Sequence, residues 1–92
     1  MGHTIAIVGG TGAEGMGLAL RWACAGENVI IGSRNSQRAR DAAFQIASRL
    51  DGNARIRGEE NVEAVKAAEI VVLAVPFAGH AALSLPLFFH AA

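Results

Sequence analysis

Three short apolar runs, Thr4–Val8, Val29–Ile31 and Ile70–Val75, break a chain otherwise patterned at helical spacing. Each is rich in β-branched residues, too short for a helix, and continuous rather than alternating. That is the signature of strands covered on both faces, as in a parallel sheet. Between the first two lies a stretch from about Ala13 to Ala25, with Ala13, Met16, Gly17, Leu20 and Cys24 on one face and Gly26 as its stop. A second helix is expected over Ser36 to Leu50, capped by Asn35 or Ser36. Its Ala39, Ala42, Ala43, Ile46, Ala47 and Leu50 form an amphipathic stripe, closed by Asp51-Gly52-Asn53. A weaker strand, Ala54–Arg57, precedes a short helix that Asn61 should cap and that carries Val62 and Val65.

The order β-α-β-α-β-α-β, joined by right-handed crossovers, predicts a parallel sheet of order 3-2-1-4. The expected fold class is α/β, a Rossmann-type doubly wound sheet that is partial, with its C-terminal part missing. Residues 1–83 form the expected nucleotide-binding unit. A fourth helix should begin after Val75-Pro76, at Phe77 to Leu83. The apolar stretch 84–92 has no cap and no polar face, and Pro86 interrupts it. It reads as the end of an incomplete sequence; as a membrane tail it is too short and carries His90. The outer edge of the fourth strand is expected to be unpaired beside it, favouring self-association.

The chemistry concentrates behind the first strand, where the chain reads Gly9-Gly10-Thr11-Gly12-Ala13-Glu14-Gly15. Gly10, Gly12 and Gly15 fit the G-x-G-x-x-G fingerprint, a turn between strand and helix that lets backbone approach a pyrophosphate. The helix then turns its unpaired N–H groups and positive dipole end toward the phosphates. The second strand ends in Gly32-Ser33-Arg34, where NAD sites usually carry an acid for the ribose 2′-hydroxyl. No acid stands from Gly32 to Asn35. A hydroxyl and a guanidinium there suit a 2′-phosphate, so the reading is NADP rather than NAD. Arg38 falls in the first turn of the second helix, where a cation costs roughly 0.3–1 kcal/mol unless an anion compensates it. Its other reading is a solvated arginine.

Bulk composition narrows the rest. Ninety-two residues make one small domain or part of one, 52% hydrophobic and 17% charged, with a net charge of zero. That balance gives no argument for nucleic acid or for a charged membrane surface. The N-terminus lacks a basic region and a secretory apolar core, and Ala6 stands where a myristoylation motif needs Ser or Thr. Cys24, the single cysteine, reads as a buried structural thiol, and a cytoplasmic location fits.

The motifs taken together resemble the N-terminal domain of coenzyme F420-dependent NADP oxidoreductases. The resemblance runs through Ile7-Val8-Gly9-Gly10-Thr11-Gly12, Gly15, Gly17-Leu18-Ala19-Leu20-Arg21, Ala25-Gly26, Val29-Ile30-Ile31-Gly32-Ser33-Arg34 and Val72-Leu73-Ala74-Val75-Pro76. It implies hydride transfer between NADP(H) and the deazaflavin F420, a small-molecule co-substrate. It implies that Thr11, Ser33, Arg34 and Arg38 hold the 2′-phosphate, and that Gly10, Gly12, Ala13 and Glu14 line the pyrophosphate with Glu14 toward solvent. Val75 and Pro76 would flank the nicotinamide ribose. His80 is either a ligand contact or a plain helix-start residue. In the family, a further strand and a C-terminal domain complete the F420 pocket and a homodimer, so the chain alone is expected to be inactive. Other readings stay open. Gly9-x-x-Gly12-x-x-Gly15 also satisfies the turn of some short-chain dehydrogenases, although the chain has no tyrosine. Imine reductases resembling pyrroline-5-carboxylate reductase share the Val-Pro ending, and a non-catalytic NADP-binding module is a third reading.

Overall fold

A computed structural model describes residues 2–50 and 55–74, and the backbone of residues 87–90. Its elements are β1 (Thr4–Val8), α1 (Ala13–Cys24), β2 (Asn28–Ser33), α2 (Ser36–Arg49), β3 (Arg55–Glu60), α3 (Asn61–Ala67), β4 (Ile70–Leu73) and β5 (Leu87–His90). The strands form one sheet of order β3-β2-β1-β4-β5. The first four are parallel, with Ile7 level with Ile31 and Val72 at the centre. Thus the 3-2-1-4 order read from the sequence is the order observed.

The core follows from the two faces of the strands. Ile5, Ile7, Val29, Ile31 and Val72 point toward α1 and α2, where they pack with Ala19, Ala23, Ala39, Ala42, Ala43 and Ile46. Ala6 and Ile30 point the other way, onto Ala64 of α3. Both faces of the central strands are therefore apolar, which is why their sequences run without alternation. The α2 stripe buries as its spacing required, and Gly26 takes the positive φ of 93° that ends α1.

Five expectations are corrected. The buried residues of α1 are Gly15, Ala19 and Ala23, a face rotated from the expected one; Ala13, Gly17 and Cys24 are exposed. The helix lies so close to the sheet that only small residues fit beneath it, while Met16, Leu18 and Leu20 pack at its flanks. Cys24 is consequently an exposed thiol, not a buried one. Asn61 does not cap α3: Glu60 holds the cap position and makes no side-chain bond, and Val62 and Val65 face solvent while Ala64 is buried. β3 runs on to Glu60, because an edge strand tolerates charge on positions that meet water. Finally, the outer edge of β4 is not left open. β5 pairs with it antiparallel, Leu73 level with Leu87 and Ile70 with His90, which gives edge backbone groups partners and turns a purely parallel sheet into a mixed one.

The Asp51–Asn53 turn, Ala54, Val75, Pro76, the helix expected from Phe77 and His80 lie outside the described residues. Among those described, no helix is long and apolar enough to cross a membrane.

Candidate functional site

In an open parallel sheet, ligands sit beyond the carboxyl ends of the strands, where the strand order reverses. Here the reversal falls at β1, which has β2 on one side and β4 on the other. Val8 is level with Gly32 of β2 and Leu73 of β4, so the segments following all three strands emerge along one edge. That register brings the Gly9–Gly15 turn beside Ser33-Arg34-Asn35.

The turn is fastened to the sheet by its backbone. Gly9 and Gly10 both donate their N–H groups to the carbonyl of Gly32, at 3.1 and 3.0 Å. Gly9 has φ of 74°, a left-handed conformation that suits glycine. The three fingerprint glycines then have separable reasons. A Cβ on Gly10 would stand 2.8 Å from the Ile7 carbonyl, and one on Gly15 would stand 2.5 Å from the Cα of Gly10. Those two glycines are needed by the fold itself, since α1 must start almost in contact with the turn. Gly12 is different: a Cβ there meets nothing within 4 Å. No described packing demands a glycine at that position, and it faces open space at the start of α1.

Gly12 is also the N-cap of α1 and offers no side-chain acceptor. The first bond at this end is Met16 N–H to the Gly12 carbonyl, and the N–H groups of Gly12, Ala13 and Glu14 have no acceptor among the described residues. Positive dipole, free donors and an uncovered backbone occur together there, as anion binding requires. Thr11 is half-buried and Glu14 is exposed, at the edge of this cradle.

The start of α2 is built in the opposite way. The Asn35 carboxamide oxygen accepts from Gln37 and Arg38 N–H at 2.9 and 3.1 Å, so this helix end is satisfied internally. Any phosphate near it has to be held by side chains. Ser33 is 9% exposed and its Oγ accepts from Asn35 N–H at 3.2 Å, which leaves the hydroxyl proton free to donate. Arg34 and Arg38 are exposed and form no ion pair among the described residues. A buried hydroxyl and two cations without ion pairs among the described residues thus stand at the carboxyl end of β2 and the start of α2. A cavity of about 540 Å³ among Thr4, Asn28, Arg55 and Ala67 opens at the amino ends of the strands, away from this edge.

One residue at this end escaped the reading from sequence. The Oδ1 of Asn61 is buried without a hydrogen-bond partner among the described residues. It lies over Gly32, 2.8 Å from where a Cβ on that residue would be. An unpaired buried acceptor costs about 1–3 kcal/mol, and the glycine of Gly-Ser-Arg is what makes room for it. Nothing in the spacing of Glu60-Asn61-Val62 distinguishes this Asn from a helix cap, so the signal was not there to find.

Comparison with known proteins agrees with the geometry. A family model described as NADP oxidoreductase coenzyme F420-dependent matches residues 4–86. The F420-dependent NADP reductase of Methanothermobacter marburgensis is 51% identical over 75 residues, covering 78% of this chain and 33% of that protein. The protein of the same name from Methanothermobacter thermautotrophicus is 51% identical over 75 residues, 78% of this chain and 32% of its own length. That from Methanocaldococcus jannaschii is 43% identical over 76 residues, 79% and 34% respectively. The chain spans about a third of the length of the curated relatives it matches.

Proposed function

The chain belongs to the coenzyme F420-dependent NADP oxidoreductase family, and on that premise we propose that residues 1–83 are its NADP(H)-binding unit. The observation that carries the reading is the open space at Gly12, next to three N–H groups without acceptors. Gly10, Gly12, Ala13, Glu14 and Gly15 form the pyrophosphate cradle. Gly10 and Gly15 fix its shape, Gly12 keeps it open, and Ala13 and Glu14 contribute backbone donors while the Glu14 carboxylate stays in solvent. Thr11, Ser33, Arg34 and Arg38 hold the 2′-phosphate: the Ser33 hydroxyl donates one hydrogen bond from a fixed position, and the guanidinium groups neutralise the charge. Val75 and Pro76, which directly follow Ala74, flank the nicotinamide ribose.

When bound, NADP(H) supplies a carbon that gives or accepts hydride, and in the complete protein coenzyme F420 is the other partner in that exchange. The residues of this chain bind and orient the nucleotide, and no proton relay is assigned to them. A second wall of the pocket, the homodimer and a cytoplasmic setting are parts of the same proposal for the longer protein.

The deciding measurement is calorimetric titration of the chain with NADPH and NADH. NADPH should bind the more tightly, because a charge-assisted hydrogen bond is worth about 1.5–3 kcal/mol. Arg34→Ala should weaken NADPH by roughly ten- to a hundredfold and leave NADH nearly unchanged. Equal losses for both nucleotides would remove Arg34 from the 2′-phosphate site.

A further inference from the structure

At the far end of the sheet from β5, the outer edge of β3 has no neighbouring strand among the described residues. Its sequence, Arg55-Ile56-Arg57-Gly58-Glu59-Glu60, carries positive charge in its first half and negative charge in its second. Charges on an edge strand normally deter pairing with another chain. Here the two signs are arranged so that the deterrent depends on direction and register. A second copy laid parallel and in register sets like charge against like, whereas an antiparallel copy meets opposite charge.

Opposed residues of an antiparallel pair point to the same face, which limits the registers open to a symmetric pair. With a twofold axis through Arg57, the two Arg57 side chains would oppose each other. With the axis through Gly58, Arg57 of each copy opposes Glu59 of the other and Ile56 opposes Glu60, while Arg55 faces the end of the partner strand, because Asn61 already begins α3. Arg57 and Glu59 already lie on one face, 3.5 Å apart within the strand and both part-exposed. Their cross-strand pairing would gather four charges of alternating sign around the axis. Gly58 leaves the axis itself without side chains.

A second observation lies on the same edge. Phe44 of α2 is 73% exposed, the most exposed of the large hydrophobic side chains described. It lines a groove of about 400 Å³ with Arg40, Ala47, Ile56 and Gly58, running between α2 and the outer side of β3. α2 comes this near the edge because a Cβ on Gly58 would fall on the carbonyl of Ala39. The apolar ring therefore borders the strand edge that the charge pattern makes self-complementary.

We infer that the β3 edge is a docking surface for a second copy of this chain, joined antiparallel about a twofold axis at Gly58, with Phe44 packed at its border. The contact is isologous and closes as a dimer.

Sedimentation velocity of the full chain over a wide concentration range tests it, with folding of each variant checked by circular dichroism. The expected result is a reversible monomer–dimer equilibrium. Arg57→Glu and Glu59→Arg should each weaken the dimer by about tenfold or more, since every single reversal creates two like-charge pairs. The double variant Arg57→Glu/Glu59→Arg restores opposite signs and should return to within about threefold of the original chain. Phe44→Ser, a change at an exposed helix position, should weaken the dimer without altering the strand. Absence of a dimer at every concentration, single reversals that dimerise normally, failure of the double variant to recover, or indifference to Phe44→Ser would each overturn the assignment.

Discussion

Replacing Gly12 with valine separates the needs of the fold from those of a ligand. The backbone at Gly12 is extended, with φ of −79° and ψ of 170°, so valine adopts it without strain. Its Cβ enters open space. Two small effects on stability oppose each other. A residue other than glycine reduces unfolded-state freedom and gains about 0.4–1 kcal/mol, while valine is a poorer N-cap than glycine by an amount on the order of 1 kcal/mol. The net change should stay within about 1 kcal/mol, or about 4–8 °C in melting temperature for a domain of this size. Gly15→Val is the control. Its Cβ would be 2.5 Å from the Gly10 Cα and 2.8 Å from the Gly10 carbonyl, contacts with backbone that cannot swing away. Overpacking of this kind costs about 1–3 kcal/mol or more, so Gly15→Val should melt well below Gly12→Val. Nucleotide affinity should show a different pattern. In Gly12→Val the side chain covers the N–H groups at the helix start, and losing two charge-assisted bonds of about 1.5–3 kcal/mol each weakens NADPH and NADH alike by roughly a hundredfold to ten-thousandfold. Thermal melting and calorimetry on both variants give the answer. A folded Gly12→Val protein that binds NADPH with unaltered affinity would falsify the cradle, and a collapse in stability equal to that of Gly15→Val would show that the open space has been misread.

Two further outcomes rest on the corrections to the fold. Gly32→Ala should lower stability, because the new methyl meets Asn61 Oδ1 at 2.8 Å and Ala64 Cβ at 3.3 Å; adding Asn61→Ala should recover part of the loss, and a double-mutant cycle with coupling below about 0.5 kcal/mol would sever the link between the two residues. Cys24 should react with a thiol reagent in the native protein at a rate near that of the unfolded chain, since it is exposed on α1. Protection until unfolding would instead return it to the core.

The sequence made strands legible where both faces are buried, because Ile5-Ala6-Ile7 and Val29-Ile30-Ile31 admit no other use in so short a run. It made α2 legible because Ala39, Ala42, Ala43 and Ile46 are apolar against a strongly polar opposite face. α1 lacked that contrast. Nearly all its positions are small or apolar, so hydrophobicity could not say which side met the sheet; size decided it, through Gly15, Ala19 and Ala23. The same rule buries Ala64 and leaves Val62 outside on α3. The glycine turn and Gly-Ser-Arg were visible because their chemistry is local in the chain. The Asn61 contact with Gly32 and the cover that β5 gives β4 join residues distant in sequence, and neither spacing nor composition encodes such a meeting.

The carbonyl of Gly32 has a consequence for how this site can change over generations. It fastens both Gly9 and Gly10, yet it stands one position before Ser33 and two before Arg34. A carbonyl is present whatever side chain follows it, so the clamp on the turn is untouched by replacements at 33, 34 or 38. The strand thereby divides its labour within three residues, a handle that no substitution removes first and exchangeable side chains after. On the proposed assignment, coenzyme preference can drift at one end of that boundary while the grip on the glycine turn is inherited intact at the other.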